Sequence, residues 1–189
     1  MKTRTFVFGW LILLSGNVLF ANKGEVNTEK SSVIWKGKKI GTNHEGTIHI
    51  QEGHVELQDN KIIAAKVIMD MSSIKDTDLK NENYNKKLVG HLKSDDFFGV
   101  ETYPTATFEL TQSSEFVNGK ATVSGNITIK GKTEPLTIDV LKEGDTYLAN
   151  IQIDRSKFDV RYGSKSFFND LGDKAIDNIF TLDVKLIVN

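Results

Sequence analysis

The chain has 189 residues, with 24 Lys and Arg against 25 Asp and Glu and a formal net charge of −1. This balance argues against a nucleic-acid partner, because phosphate binding needs a concentrated basic face. Cysteine is absent, which excludes disulfides and thiol chemistry, so the stability of the fold must come from its core. The length is typical of one domain.

The first 21 residues have the pattern of a secretory signal peptide. Lys2 and Arg4 form a basic start, an apolar stretch follows, and the residues up to Ala21 suit cleavage after that alanine. An N-terminal membrane anchor is the alternative, but a Ser-Gly-Asn sequence interrupts the apolar run, which is short for a membrane span. We therefore expect a signal peptide over 1–21 and a single domain over 22–189 that is periplasmic or secreted, without stable membrane insertion.

After this segment, apolar and polar residues alternate with a period of two in one stretch after another. This is the pattern of β-strands that have one buried and one exposed face. We count roughly eight such stretches. The apolar residues of seven of them are, in chain order, Ile48 and Ile50; Ile63, Ala65, Val67, Met69 and Met71; Ala106, Phe108 and Leu110; Ala121, Val123, Ile127 and Ile129; Leu136, Ile138 and Val140; Tyr147, Ala149, Ile151 and Ile153; and Phe180, Leu182, Val184, Leu186 and Val188.

Short turn motifs separate the strands. The Asn-Gly pair at 118–119 is the strongest hairpin signal in the sequence. Glu-Gly-Asp at 143–145 and Gln-Glu-Gly-His at 51–54 are also typical of turns. Strands do not alternate with long helices, which argues against a parallel sheet and for antiparallel connections.

Two short stretches are helical candidates. One is 85–98, in which Ser94 can cap a turn of acidic residues. The other is 165–171, which Gly172 would end. Each stretch contains a pair of adjacent phenylalanines.

Strands with one apolar face must cover that face. Two sheets can stack as a sandwich, or one sheet can close into a barrel. Roughly eight strands is the number at which a closed barrel is either just filled by side chains or holds one small ligand. The alternation alone leaves both architectures open.

Six segments, taken together, resemble one known family. They are SSVIWKG at 31–37, GTNHEGTIHI at 41–50, DMSSIKDTDL at 70–79, LVGHLKSDDFFGVETYPTATFELT at 88–111, GNITIKGKTEPL at 125–136 and IDRSKFDVRYGSKSFFNDLGDKAI at 153–176. In this order they resemble the YceI-like polyisoprenoid-binding family. The resemblance implies an all-β fold, a lipocalin-like antiparallel β-barrel of about eight strands with one or two short helices near one end. It also implies an apolar lumen that takes up an isoprenoid chain.

The function that this resemblance implies is non-covalent binding, with transport or storage, of a polyisoprenoid or similar long-chain amphiphilic lipid. Burial of one CH₂ contributes about 0.8 kcal/mol, so a five-carbon isoprene unit contributes roughly 3 to 4 kcal/mol before ordering costs are subtracted. Two other functions stay open, a structural or interaction barrel without a physiological lipid and a lipid-modifying enzyme. A homodimer also stays open.

Two pairs of adjacent rings, Phe97 with Phe98 and Phe167 with Phe168, are candidate ligand contacts. Adjacent residues point in different directions on a strand or a helix, so at most one ring of each pair fits an ordinary core. One hypothesis is that one ring packs under its turn while the other faces the lumen or mouth of the barrel. The alternative is that all four rings plug the barrel end.

Five further residues are candidates for ligand contact. Trp35, Phe108 and Phe158 could line the lumen or its mouth, with ordinary core packing as the alternative. Arg155 and Arg161 could bind an anionic headgroup, because arginine binds phosphates and carboxylates bidentately. The alternative for these two is structural pairing with neighbouring aspartates.

The four histidines, His44, His49, His54 and His91, match no metal-binding motif. His44 and His49 are an odd number of residues apart and would face opposite sides of a strand. The serines at 164–166 lack the GxSxG pattern of a hydrolase nucleophile, and the carboxylates are scattered. We therefore predict no metal site, no cofactor and no catalytic residue.

Overall fold

Nine β-strands and one α-helix form the described part of the chain, residues 22–189, in a computed structural model. The predicted signal peptide lies outside the described residues. The elements are β1 (Asn22–Glu25), β2 (Ser32–Lys39), β3 (Thr42–Gln58), β4 (Lys61–Asp76), α1 (Glu82–Lys93), β5 (Thr105–Ser113), β6 (Lys120–Ile129), β7 (Lys132–Glu143), β8 (Thr146–Asp154) and β9 (Ile179–Ile187).

Strands β2 to β9 close into one antiparallel barrel. Neighbouring strands pair in the order β3, β2, β9, β8, β7, β6, β5, β4, and β4 pairs back onto β3. The short β1 pairs with the second half of β3, whereas β2 pairs with the first half, so β1 and β2 occupy one position in the barrel wall. The prediction of an all-β antiparallel barrel of about eight strands is confirmed, and the sandwich alternative does not form.

The connections divide into two groups at opposite ends of the barrel. One end, which we call the helix end, carries α1 and the long connections 77–104 and 155–178. The other end, which we call the turn end, carries the shorter connections 59–60, 114–119 and 144–145. The predicted helical character is therefore concentrated at one end, as expected.

Two of the predicted turns form at the turn end. Asn118 and Gly119 have φ angles of 51° and 76°, which is the geometry of the type I′ hairpin that an Asn-Gly pair favours. The turn predicted at 143–145 also forms, with Gly144 at a φ of 59°. These left-handed conformations fit Asn and Gly better than other residues.

The turn predicted at 51–54 is wrong, because these residues lie inside the long strand β3. Gly53 lets neighbouring residues pack closely against the strand there. A Cβ at this position would lie 3.0 Å from both the Lys66 carbonyl oxygen and the Val26 Cγ2. A glycine inside a strand can mark a close approach instead of a turn.

The helix α1 begins three residues earlier and ends five residues earlier than the predicted stretch 85–98. Its N-cap is Asn81, whose side-chain oxygen accepts hydrogen bonds from the backbone N–H groups of Asn83 and Tyr84. Ser94 caps the C-terminus, where its hydroxyl donates to the His91 carbonyl at 2.8 Å. Within residues 22–189 no helix is both long and apolar enough to cross a bilayer.

The second predicted helix, 165–171, does not form and is replaced by turns. The side chains of Ser164, Ser166 and Asn178 hydrogen-bond to one another here, which gives the backbone an alternative to helix. Two short 3-10 turns occur instead, at Arg155–Phe158 and Gly172–Lys174.

A bulge in β4 changes which residues face the core. Leu57 pairs with Ile62 and Glu56 pairs with Ala64, so Ile63 is the extra residue. Ile63 is exposed and Ile62 is buried, the reverse of the predicted alternation. A strict period of two fails wherever one strand carries an additional residue.

Candidate functional site

The interior of the barrel holds an apolar cavity of about 150 Å³. All eight barrel strands contribute to its lining, mostly through the inward-facing residues of the two-residue alternation. Only Thr107 and Tyr147 among the lining residues carry a polar side-chain atom. Within the described residues the cavity therefore has no charged group on its wall, and its surface suits hydrocarbon.

Aromatic rings close the cavity at both ends. At the helix end, the lining residue Phe98 packs edge-on against Phe180, with ring centroids 6.3 Å apart. At the turn end, the lining residue Tyr147 packs edge-on against Phe116 at 6.2 Å. Burial raises the pKa of Tyr147, and the charge of Asp145 adds to this effect. The phenol is therefore neutral at physiological pH, and Tyr147 places no charge at the lumen.

Among the barrel strands, β7 and β8 have the shortest pairing. These strands pair over only three residues each, Leu141–Glu143 against Thr146–Leu148. An external groove of about 770 Å³ lies against this part of the wall. The groove and the lumen share four bordering residues, so one layer of side chains separates them there. The shared residues are Val140, Leu148, Ala149 and Val184.

The pair Phe97 and Phe98 is buried, with 8% of each residue exposed. The two rings meet edge-to-face with centroids 5.0 Å apart. Phe98 borders the cavity, whereas Phe97 packs beside the His91 ring at 5.9 Å and under the Arg155 guanidinium. The two rings of this pair therefore have different surroundings, one at the lumen and one beneath the helix end.

The second pair is at the surface, with 39% of Phe167 and 48% of Phe168 exposed. The guanidinium of Arg161 lies 5.2 Å from the ring centroid of Phe167. Phe168 borders a surface cleft that also includes Asp95 and Lys130. Neither ring borders the lumen.

Trp35, Phe108 and Phe158 differ in their relation to the cavity. Trp35 and Phe158 belong to the buried cluster around the helix end and do not border the lumen. The Trp35 indole N–H donates to the Lys75 carbonyl at 2.9 Å. Phe108 lies on β5 and borders the cavity directly.

Arg155 is buried, with only 2% of its surface exposed. Its guanidinium donates to four backbone carbonyls within the helix-end loop, at distances of 2.9 to 3.0 Å. Burial lowers the pKa of Arg155, while the charges of Asp154 and Asp177 oppose that shift. All four hydrogen bonds from the guanidinium thus go to backbone carbonyls, and they hold the helix-end loop in its conformation. The four acceptors are the carbonyls of Val160, Tyr162, Ile176 and Asp177.

Arg161 is exposed and forms an ion pair with Asp159, whose carboxylate accepts from the guanidinium Nε at 2.6 Å. This hydrogen bond lowers the pKa of Asp159. The aspartate pairing considered for the two arginines therefore occurs at Arg161. At Arg155 it does not, because the Asp154 side chain accepts from the Ser156 backbone N–H instead.

Comparison with known proteins identifies the family. The sequence model of the YceI-like domain matches residues 25–188. The chain belongs to the YceI-like domain family. The crystal structure of Burkholderia cenocepacia BcnA is similar to it, with 26% sequence identity, a TM-score of 0.67 and coverage of 87% of this chain and 99% of that one.

A second solved structure agrees with this YceI-like domain in fold, and two further relatives match part of its sequence. The structure of a polyisoprenoid binding domain from Saccharophagus degradans has a TM-score of 0.57 at 12% identity, covering 90% of this chain and 99% of that one. A UPF0312 protein of Vibrio cholerae is 27% identical over 110 residues, which is 58% of this chain and 56% of the relative. A UPF0312 protein of Pseudomonas aeruginosa is 45% identical over 58 residues, 29% of each chain. The matches thus span about half or less of these relatives' lengths.

Sequence reasoning about this YceI-like domain found most of the lumen but missed one cluster. Of the nine predicted contact residues, Phe98 and Phe108 border the cavity. The missed cluster consists of His44, Asp76 and Asp78, which lie together at the helix end. Asp76 pairs with Gly46, two residues from His44. Asp78 lies beyond the end of β4, so the spacing of these residues along the chain does not bring the three together. The predicted contacts that do not border the cavity are Trp35, Phe97, Arg155, Phe158, Arg161, Phe167 and Phe168.

Proposed function

We propose that this YceI-like domain binds a polyisoprenoid or similar long-chain amphiphilic lipid non-covalently in the barrel lumen. The observation that carries this proposal is the apolar cavity, which is lined from all eight barrel strands and bears no charged side chain among the described residues. Family membership supports it. The description of the Saccharophagus degradans relative as a polyisoprenoid binding domain agrees with it.

The lumen must widen to hold a long chain. Its volume of about 150 Å³ lies below the roughly 300 to 1,000 Å³ of most ligand pockets. Met69 and Met71 line it, and methionine adapts readily because its unbranched side chain has three rotatable bonds. Each isoprene unit buried contributes roughly 3 to 4 kcal/mol, which favours this rearrangement.

The cellular role follows from the predicted export signal. A chain released from its signal peptide after Ala21 would meet its lipid in the periplasm or outside the cell. A closed apolar lumen shields a hydrocarbon chain from water there, which serves either transport between membranes or storage. The competing function, a structural barrel without a physiological lipid, is favoured by the small cavity volume.

Mass spectrometry under native conditions tests the proposal. The chain is expressed from its full-length sequence, purified without denaturant, and measured before and after lipid extraction. We expect a bound species whose mass disappears on denaturation, or uptake of one added polyprenol per chain. A chain that carries no lipid and also fails to take up polyprenol would overturn the proposal in favour of the structural barrel.

A further inference from the structure

Three ionisable side chains converge at the helix end, away from the lumen. His44 lies on β3, Asp76 is the last residue of β4, and Asp78 follows in the connection to α1. His44 Nδ1 lies 3.1 Å from Asp78 Oδ2 and 3.9 Å from Asp76 Oδ2. One ligand atom from each residue lies within 4.8 Å of the other two.

The Oδ2 atom of Asp76 is buried and has no hydrogen-bond partner among residues 22–189. Only 7% of this residue is exposed. Its other oxygen, Oδ1, accepts from the Leu79 backbone N–H at 2.9 Å and from the Asn85 side chain at 3.0 Å. A buried carboxylate oxygen without a donor is unfavourable and rare in folded proteins. This atom points at His44 and needs either a proton or a cation.

Asp78 is also held by a backbone hydrogen bond with its carboxylate facing His44. Its Oδ1 accepts from the Glu45 backbone N–H at 3.3 Å and lies 3.4 Å from His44 Nδ1, while Oδ2 lies closer to that nitrogen, at 3.1 Å. The His44 side chain is 26% exposed, so the cluster is reachable from solvent. Carboxylates anchored through one oxygen, with the other oxygen free, resemble metal ligands that are oriented by outer hydrogen bonds.

Two of the three separations between the ligand atoms fit a transition metal. Bonds of about 2.0 to 2.2 Å in a tetrahedral site place neighbouring ligand atoms about 3.4 Å apart. The two separations from His44 Nδ1, 3.1 and 3.9 Å, lie on either side of this value. An imidazole beside carboxylates suits zinc and its neighbours better than calcium or magnesium, which prefer oxygen ligands.

We propose that His44, Asp76 and Asp78 bind one divalent transition-metal ion of the zinc type. Two carboxylates balance the charge of such an ion, and the exposed side of the cluster leaves room for water as a fourth ligand. The ion joins the β3–β4 pair to the connection that leads into α1. Binding of the metal stabilises the helix end and is independent of lipid in the lumen.

Titration with cobalt(II) and zinc(II) tests this site. The chain is expressed from its full-length sequence without a histidine tag, treated with a chelator, and dialysed. We expect one Co²⁺ per chain, with a visible absorption band, a Kd tighter than about 10 μM and displacement by Zn²⁺. Zn²⁺ raises the Tm of the chelator-treated protein, because it binds the folded state selectively.

Two ligand variants and one matched control complete the test. Asp76→Asn and His44→Ala should each weaken Co²⁺ binding at least ~10-fold. His49→Ala, on the exposed face of the same strand, should bind as the wild type does. Circular dichroism checks that each variant is folded. The site would be refuted if Asp76→Asn bound Co²⁺ as tightly as the wild type, or if His49→Ala abolished binding. It would also be refuted if the wild type did not bind Co²⁺ with a Kd below about 10 μM. In the last case a proton shared by the two aspartates fills the centre.

Discussion

The guanidinium of Arg155 lies over the ring of Phe97, with its Cζ atom 5.3 Å from the ring centroid. Phe97 in turn meets Phe98, which borders the lumen. A continuous stack therefore runs from the loop that Arg155 organises to the hydrocarbon-lined cavity. These contacts give each ring its own partner at the helix end, which explains why the two phenylalanines can lie next to each other in one turn.

Replacing Arg155 should destabilise the helix end. Arg155→Met leaves four carbonyls, one of them buried and three partly buried, without their donor and should lower the free energy of unfolding by about 3 to 5 kcal/mol. Arg155→Lys should lose most of the same stability, because an ammonium does not reproduce the planar fork of a guanidinium. Urea denaturation followed by circular dichroism measures both changes.

Arg161→Met is the matched control for Arg155. Its ion pair with Asp159 is solvent-exposed, and such pairs contribute little, so Arg161→Met should leave the free energy of unfolding nearly unchanged. Equal losses of stability at the two arginines would contradict the structural role assigned to Arg155.

The two phenylalanine pairs should respond differently to truncation. Phe98→Ala removes a buried ring and should cost about 3 to 5 kcal/mol. Phe168→Ala removes a ring that is half exposed and should change stability by less than about 0.5 kcal/mol. Thermal and urea unfolding, together with lipid retained per folded chain, separate the two roles. A large loss of stability at Phe168 would show that this surface ring belongs to the core after all.

Gly46 should tolerate no side chain. A Cβ there would overlap the Lys75 carbonyl oxygen, which also accepts the indole N–H of Trp35. Gly46→Ala should therefore prevent folding or reduce the free energy of unfolding by more than about 4 kcal/mol. Gly90→Ala is the control, because a Cβ at Gly90 meets no atom of the described part of the chain within 4 Å. This helical substitution should stabilise the protein by about 1 kcal/mol.

The inward-facing residues of the lumen could be predicted from the sequence because alternation reports directly on the face of a strand. Leu136, Ile138 and Val140 were assigned in this way, and all three border the cavity. The prediction failed at Ile63, because a bulge adds one residue and reverses the alternation. Local pattern therefore predicts which strand residues face the core, and irregular register limits how far it can be applied.

The helix end could not be predicted in the same way. The convergence of His44 with Asp76 depends on how β3 pairs with β4, and a register shift between Thr47 and His49 interrupts that pairing. The loop bonds of Arg155 join carbonyls up to 22 residues away. Such contacts depend on tertiary packing, whereas a short stretch of sequence contains only residues that are neighbours along the chain. The Asn81 cap, by contrast, was a local signal that was available.

The free energy of unfolding at acid pH should depend on Asp183. The Lys36 ammonium donates to its carboxylate at 2.7 Å, and this hydrogen bond, with a second from Asn150, lowers the pKa of Asp183. Because the folded pKa lies below the unfolded one, the carboxylate stabilises the fold above the unfolded value near 3.8. That contribution disappears as the pH falls through the folded pKa.

Asp183→Asn should therefore flatten the dependence of unfolding free energy on pH below about 4. Lys36→Met removes the same ion pair from the other side and should flatten it in the same direction. Urea denaturation at a series of pH values measures the slope. Unchanged slopes in both variants would show that the pair contributes nothing to acid stability, as for many exposed pairs.

The central claim is that a lipid chain occupies the lumen, and a pair of adjacent alanines on β4 tests it most directly. Ala65 borders the cavity and Ala64 does not. Ala65→Leu fills the lumen, whereas Ala64→Leu adds the same atoms on the other face of the strand. Overpacking costs about 1 to 3 kcal/mol, so the Tm of each variant is measured first.

The decisive measurement is the Kd of a polyprenol for the wild type and for these two variants, each shown to be folded. We predict that Ala65→Leu weakens binding at least ~10-fold, which corresponds to about 1.4 kcal/mol, while Ala64→Leu binds as the wild type does. Equal affinity in all three proteins would contradict occupation of the lumen.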